Sequence, residues 1–255
     1  MLPIHFPPRQ TVYWWFRRFV RLLLFRTIHD IALMIDRERS GRNADPSAVV
    51  VDSQTIKSPA AAGTRGFDGA KKIVGRKRHI AVDIDGHLLM VNLTTTDSSG
   101  AQAILDGLAK RWTLIKHLFA DGAYDRRQLL YNAAFLDFVV EIVRRTIQAS
   151  IPRRGVVERT FGWLTRYRRL VRDYEARLDV SEAMIYAAMA SPIIRRIKQA
   201  APGMHVSVMY GTSKEGTALA MAADADIDNA LPPAWASAPH ALDGQPRPRR
   251  RRSQL

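Results

Sequence analysis

The sequence predicts an α/β domain in which a mixed sheet carries helices on both faces. Three observations predict it. Between residues 47 and 198, short apolar runs and helical-period segments follow one another in the order β-β-β-α-β-α-β-α. The pair Asp85-Gly86 stands between two strand-like runs and suits a tight antiparallel turn. The chain has 255 residues and is 47% hydrophobic, enough to bury one sizeable core.

The elements follow in chain order. In residues 1 to 46, Val12, Trp15, Phe16, Phe19, Leu22 and Leu23 fall at helical spacing, followed by Ile28, Ile31, Ala32 and Ile35. One or two amphipathic helices are expected, closed by Ser40-Gly41-Arg42-Asn43 and Asp45-Pro46. Arg17, Arg18 and Arg21 lie off the apolar stripe, either on solvent or on DNA. The core segment, 47 to 198, opens with a strand at 48 to 52 and a loop holding Pro59, Gly63 and Gly66. Hairpin strands at 77 to 84 and 88 to 95 come next, then a helix at 99 to 111 and a strand at 116 to 120. A helix at 125 to 134 leads to a strand at 137 to 143, and long helices are expected at 154 to 175 and 180 to 198. Asp179-Val180-Ser181-Glu182 reads as a capping box for the last of them. From 199 to 255 the composition turns to Ala, Pro and Asp without periodicity and ends in an arginine run at 247 to 252, which reads as a disordered tail.

Charge narrows the function. With 39 Lys+Arg against 24 Asp+Glu the formal net charge is +15 and the pI about 10.7, so a polyanionic partner is expected. The absence of cysteine excludes disulfides, thiolate zinc sites and cysteine nucleophiles. With no apolar run near ~18 residues and no signal-like start, a soluble, cytoplasmic protein with no membrane partner is expected.

Three acids stand out against this basic background. Asp52 ends the apolar run Ala48-Val49-Val50-Val51, and Asp121 ends Leu118-Phe119-Ala120. Glu158 sits inside an arginine-rich stretch. Carboxylates at strand ends and on a basic helix suit Mg²⁺, with Mn²⁺ as a substitute, while neighbouring cations hold phosphate. One basic cluster, from 57 to 79, has seven Lys/Arg against Asp68; Lys57, Lys71, Lys72, Arg76, Lys77 and Arg78 are its candidate DNA contacts. The other, from 144 to 177, has ten Arg against Glu158, Asp173 and Glu175. On a helical wheel Arg154, Thr165, Arg169 and Arg172 fall within roughly 40° of Glu158, and Arg154, Arg169 and Arg172, together with Arg166 of the same arginine-rich stretch, are read as phosphate ligands. Arg168 falls inside the apolar arc, where it has no evident role. Asp83, Asp97 and Asp125 read as hairpin, cap or turn residues, and His79 as a strand residue beside phosphate. Two other readings stay open, a noncatalytic DNA binder and a basic packaging protein with incidental strand-end acids.

Successive blocks of the chain carry a resemblance. They are Asp52-Ser53-Gln54-Thr55-Ile56-Lys57, Arg65-Gly66-Phe67-Asp68-Gly69-Ala70-Lys71-Lys72, Gly75-Arg76-Lys77-Arg78-His79, Asp121-Gly122-Ala123-Tyr124 and Val157-Glu158-Arg159-Thr160-Phe161-Gly162-Trp163-Leu164. Over roughly residues 5 to 198 the chain resembles bacterial insertion-sequence transposases of the fifth numbered family. The resemblance implies an RNase H-like fold with Asp52, Asp121 and Glu158 as an Asp-Asp-Glu triad sharing two Mg²⁺ ions about 4 Å apart. It further implies cleavage and strand transfer of double-stranded DNA, element ends and target alike, by a homodimer at the bacterial nucleoid. The family's N-terminal region for end recognition, expected before Phe6-Pro7-Pro8, is missing, and the link from Arg145 to Pro152 is short. Positions that carry Tyr and Lys around the Glu in the wider superfamily are Ile151 and Thr165 here.

Overall fold

The computed structural model describes residues 6–62, 64–69, 71–95, 97–143, 152–200, 205–213 and 216–224. The first of its two units, residues 1–200, opens with α1 (Arg9–Arg21) and α2 (Leu24–Arg39). The strands β1 (Ala48–Lys57), β2 (Gly66–Asp68), β3 (Ile73–Val82) and β4 (Leu88–Thr94) follow. After them come α3 (Asp97–Arg111), β5 (His117–Ala120), α4 (Arg127–Phe135), β6 (Val139–Ile142), α5 (Pro152–Thr165) and α6 (Leu178–Ala200).

β1 is the centre of the sheet. It pairs antiparallel with β3 on one side and parallel with β5 on the other, and β6 continues the parallel half beyond β5. The free side of β3 takes both β2 and β4. Parallel neighbours need a crossover, and α3 and α4 supply the two. Alternate residues of β1 feed two cores: Val49 and Val51 pack with α3, α4 and α2, whereas Val50 packs with α5 and α6. A three-strand antiparallel meander continued by parallel strands, with helices on both faces, is the mixed sheet of an RNase H-like fold. Gly86 holds φ +88 in the β3–β4 turn, where a side chain would be strained and would crowd Thr160 of α5.

Three local readings are corrected. The helix expected at 154 to 175 stops at Thr165, and a short 3₁₀ turn at Arg168–Leu170 follows. The chain turns there because Leu170 is buried and because Asp173 is drawn into the sheet. The Asp173 N–H donates to the Lys57 carbonyl at 3.0 Å, and its carboxylate meets Arg76 at 2.8 Å. Arg168 thus leaves the apolar arc and is exposed on the turn. The capping box is not formed as read, since α6 begins at Leu178 and the Glu182 carboxylate accepts the Leu93 N–H of β4 at 3.2 Å. In the second unit, residues 201–255, an antiparallel ladder of β7 (His205–Ser213) and β8 (Gly216–Asp224) stands where no regular structure is expected. Its sequence Val206-Ser207-Val208-Met209-Tyr210 is rich in the β-branched and aromatic residues that favour strands. The arginine run at 247 to 252 and the short link at 144 to 151 lie outside the described residues.

Burial pushes the Glu182 carboxyl up to about 7, against the Leu93 N–H and Arg26, which favour the charged form. The folded state therefore holds this proton more tightly than the unfolded chain. Its contribution is intact below about pH 4.5, declines as pH rises and is lost above about pH 7. Glu182→Gln keeps an acceptor for Leu93 and removes the buried charge. Urea unfolding should show the variant more stable by roughly 2 kcal/mol at pH 8 and indistinguishable at pH 4. Equal stabilities at both pH values would show the carboxyl to be solvated.

Candidate active site

The register of β1 against β5 positions the two aspartates. Val51 pairs with Ala120, so the next residues, Asp52 and Asp121, lie side by side where the β1–β5 pairing ends, about 5 Å apart in backbone spacing; β1 itself does not stop at Asp52, as the apolar run suggests, but runs on to Lys57 because it stays paired with β3. Counting by alternation from Val50 and Phe119, both belong to the α5 side of the sheet. The Asp52 carboxylate accepts the Ser53 N–H at 2.6 Å. A small cleft joins the pair, lined by Asp52, Asp121, Val50, Phe119, Val143 and Val157. Val157 is buried and anchors α5 over the sheet, while Glu158, the residue after it, is exposed on the helix. Burial thus fixes the helix with its acid one step from the cleft wall.

The predicted phosphate ligands divide. Lys57, Lys71 and Lys72 are exposed, and so are Arg166 and Arg172. Lys77 faces Asp68 at 3.5 Å, which offsets much of its charge. Arg169 is exposed but pairs with Glu175 at 2.8 Å, and the end of α5 at Thr165 removes Arg169 and Arg172 from the Glu158 strip. The side chains of Arg154 and Asp97 lie outside the described residues.

Arg76 and Arg78 are corrected outright, because both are buried and neither can reach DNA. Arg76 donates to Asp173 at 2.8 Å and to the carbonyls of Thr64, Glu175, Ala176 and Ala62. Among the described residues Arg78 donates only to the Leu170 carbonyl, at 3.3 Å, and burial pulls its pKa down to about 10 against the attraction of Asp173. His79 is also interior, with its ring against Gly100 and Nδ1 at 3.2 Å from the Tyr124 hydroxyl.

A second acidic group was legible only as turn chemistry. Asp83, Asp85 and His87 bring ligand atoms within 4.8 Å of one another at the β3–β4 turn. Cations already fill the positions a metal would take. Arg37 meets Asp83 at 2.6 Å, Arg42 meets Asp85, and Arg196 donates to His87 Nε2 at 2.9 Å. Asp83 also accepts the N–H groups of Asp85 and His87, as a turn aspartate should. Arg196 further clasps Asp36 with two bonds, at 2.8 and 2.6 Å. The group is an ion-pair latch tying α2 and α6 to the turn.

In this RNase H-like sheet the pairing of the two central parallel strands ends at neighbouring aspartates. A family model described as the transposase DDE domain matches residues 43–191, and the chain belongs to that family. Transposases of that family act on DNA. No curated protein matches the chain. Among solved structures it is similar to a chain of the simian T-cell lymphotropic virus intasome in complex with PP2A regulatory subunit B56 gamma. That match has 16% identity, covers 48% of this chain and 39% of that chain, and has a TM-score of 0.35. The catalytic core domain of BIV integrase matches with 16% identity over 54% of this chain and 80% of that chain, again with a TM-score of 0.35. Among the described residues no helix is long and apolar enough to cross a membrane.

Proposed function

We propose that the chain cleaves DNA at the ends of an insertion sequence and joins the freed 3′-hydroxyls to target DNA, with Asp52, Asp121 and Glu158 holding Mg²⁺. The β1–β5 register carries this reading, since it seats two carboxylates beside one another next to the helix that bears the third. An all-oxygen donor set suits Mg²⁺ or Mn²⁺ rather than softer ions. Bound there, the metal supplies Lewis acidity to the phosphodiester and a nucleophilic water or 3′-hydroxyl at neutral pH.

The chain's residues do the positioning. The sheet fixes the Asp52 and Asp121 backbones, and Val50, Phe119, Val143 and Val157 keep the floor of the cleft dry. Exposed Lys57, Lys71 and Lys72 near the end of β1, and Arg166 and Arg172 beyond α5, attract the strand backbone. Two element ends must be held together, so the active form is a homodimer working on nucleoid DNA in the cytoplasm.

The test is a nicking assay on duplexes carrying the element's own ends. Nicking should require Mg²⁺ or Mn²⁺ and vanish with chelator, while Ca²⁺ supports binding alone. Tight binding without nicking in any of these ions would overturn the catalytic reading in favour of a DNA-binding remnant. In the same assay format, replacing Lys71 and Lys72 together by Ala should flatten the dependence of log affinity on log salt by about one to two units. An unchanged slope would remove that loop from the DNA path.

A further inference from the structure

The β3–β4 turn, Asp83 to His87, grips α5 at the two residues that follow Glu158. Thr160 is 0% exposed, and its hydroxyl donates to the Gly86 carbonyl at 2.7 Å, with the Val156 carbonyl of its own helix at 3.1 Å. Arg159 donates to the Asp85 carbonyl at 2.9 Å and lies over the Trp163 ring, 5.5 Å from its centre. Thr160 stands among Val156, Val157, Phe161 and Leu164, an apolar arc in which valine would have nearly the same shape. A buried hydroxyl costs stability unless it is bonded, so this one rests on the turn.

The turn is itself held from two other helices. One Asp83 carboxylate oxygen accepts the N–H groups of Asp85 and His87 at 3.0 and 2.9 Å, and the other meets Arg37 of α2 at 2.6 Å. The Asp83 carbonyl accepts the Gly86 N–H at 3.0 Å, and Arg196 of α6 bonds His87 at 2.9 Å. The grip thus runs from α2 and α6 through the turn to α5. Buried Val157 lines the cleft on one side of Glu158 and Arg159 is bonded to the turn on the other, so the helix is fixed against rolling about its axis. A side-chain tip lies about 5–6 Å from a helix axis, so a roll of ~20° would carry the Glu158 carboxylate about 2 Å. Mg²⁺ demands near-ideal octahedral placement at about 2.0–2.1 Å, so a shift of that size decides whether the acid can serve.

We propose that Arg159, Thr160 and the Asp83–His87 turn are positioning residues for Glu158, setting the roll of α5 that brings its carboxylate to the ion held by Asp52 and Asp121. The inference rests on the proposed function. It also gives the acidic turn a role other than metal binding. Asp85 and Gly86 act through their backbone carbonyls, which receive Arg159 and Thr160, and Asp83 acts by holding those carbonyls in place.

The readout is Mn²⁺ binding by the full chain without DNA, followed by the EPR signal of free Mn²⁺, so no turnover is needed. Glu158→Gln should weaken binding by more than about tenfold and Thr160→Val by about tenfold, the scale on which residues that orient metal ligands act. Thr160→Ser keeps the hydroxyl and should restore the parent affinity. In the Glu158→Gln background Thr160→Val should add no further loss, since a residue acting through Glu158 then has nothing left to position. Because Thr160 is buried, Arg159→Met at an exposed position serves as the second variant, and it decides alone if Thr160→Val loses its melting transition. Removing that cation would by charge alone tighten the hold on Mn²⁺, so weaker binding reports the lost grip. Unchanged affinity in a folded Thr160→Val or in Arg159→Met, or a further loss in the double variant, overturns the positioning role and leaves the proposed function standing. Affinity unchanged by Glu158→Gln removes the third ligand and sinks both.

Discussion

Asp52→Asn and Asp121→Asn each lower metal-dependent nicking by more than ~100-fold, while duplex affinity in Ca²⁺ stays the same or rises. The magnitude follows from ligand chemistry. Losing an outer partner of a metal site typically costs 10–100-fold, and a direct ligand must cost more. The sign of the affinity change is electrostatic, since each amide removes one negative charge from a surface that must approach phosphate. Glu158→Gln should behave alike, because it occupies the exposed step of α5 beside the cleft wall. Folding should be unaffected. The Asn oxygen still accepts the Ser53 N–H that the Asp52 carboxylate accepts, and the Asp121 backbone carbonyl still accepts the Tyr124 N–H. A variant that nicks at the unmutated rate removes its residue from the triad. One that loses both nicking and its melting transition marks a structural acid.

The two aspartates were legible because an apolar run that stops at a carboxylate is a local pattern, and a parallel register turns two such stops into neighbours, even though β1 itself continues to Lys57. The cations were not legible in the same way. Arg76 and Lys77 adjoin in β3 and point to opposite faces, so one is buried and the other is near the surface. Composition counts both equally. The end of α5 is a tertiary effect: the sequence supports helix through residue 175, but the pull of Asp173 toward Arg76 and Lys57 outweighs propensity. Glu182 deceived for the same reason. It has the spacing of a capping residue, yet the β4 edge offers it the Leu93 N–H. Period identified the elements and the ends of apolar runs identified the acids, but long-range ion pairs decided which charges face solvent.

Arg76 and Arg78 give the sharpest test of that distinction, because they are the same residue type on the same face of β3 and should respond oppositely to removal. Arg76 and Asp173 are 0% and 1% exposed at their side chains, so Arg76→Met strands a carboxylate in the interior. It also abandons carbonyls of Thr64 and Glu175 that now receive bonds of 2.8 and 2.7 Å. Breaking one side of a buried pair costs about 3–5 kcal/mol, and a domain of this size should lose ~10 °C or more in melting temperature. Arg78 has a single bond of 3.3 Å, and its Nε and Nη1 have no hydrogen-bond partner among the described residues. Arg78→Met therefore removes an under-satisfied cation and fills its space with apolar volume. Its stability should stay within ~1 kcal/mol of the parent or rise, as when buried ionic groups are replaced by well-packed apolar ones. Calorimetric melts of the two variants at pH 7 decide the matter. If Arg78→Met proves as damaging as Arg76→Met, the second guanidinium has a partner that balances its burial. If Arg76→Met leaves the melt unchanged and weakens DNA binding instead, the β3 arginines face phosphate after all.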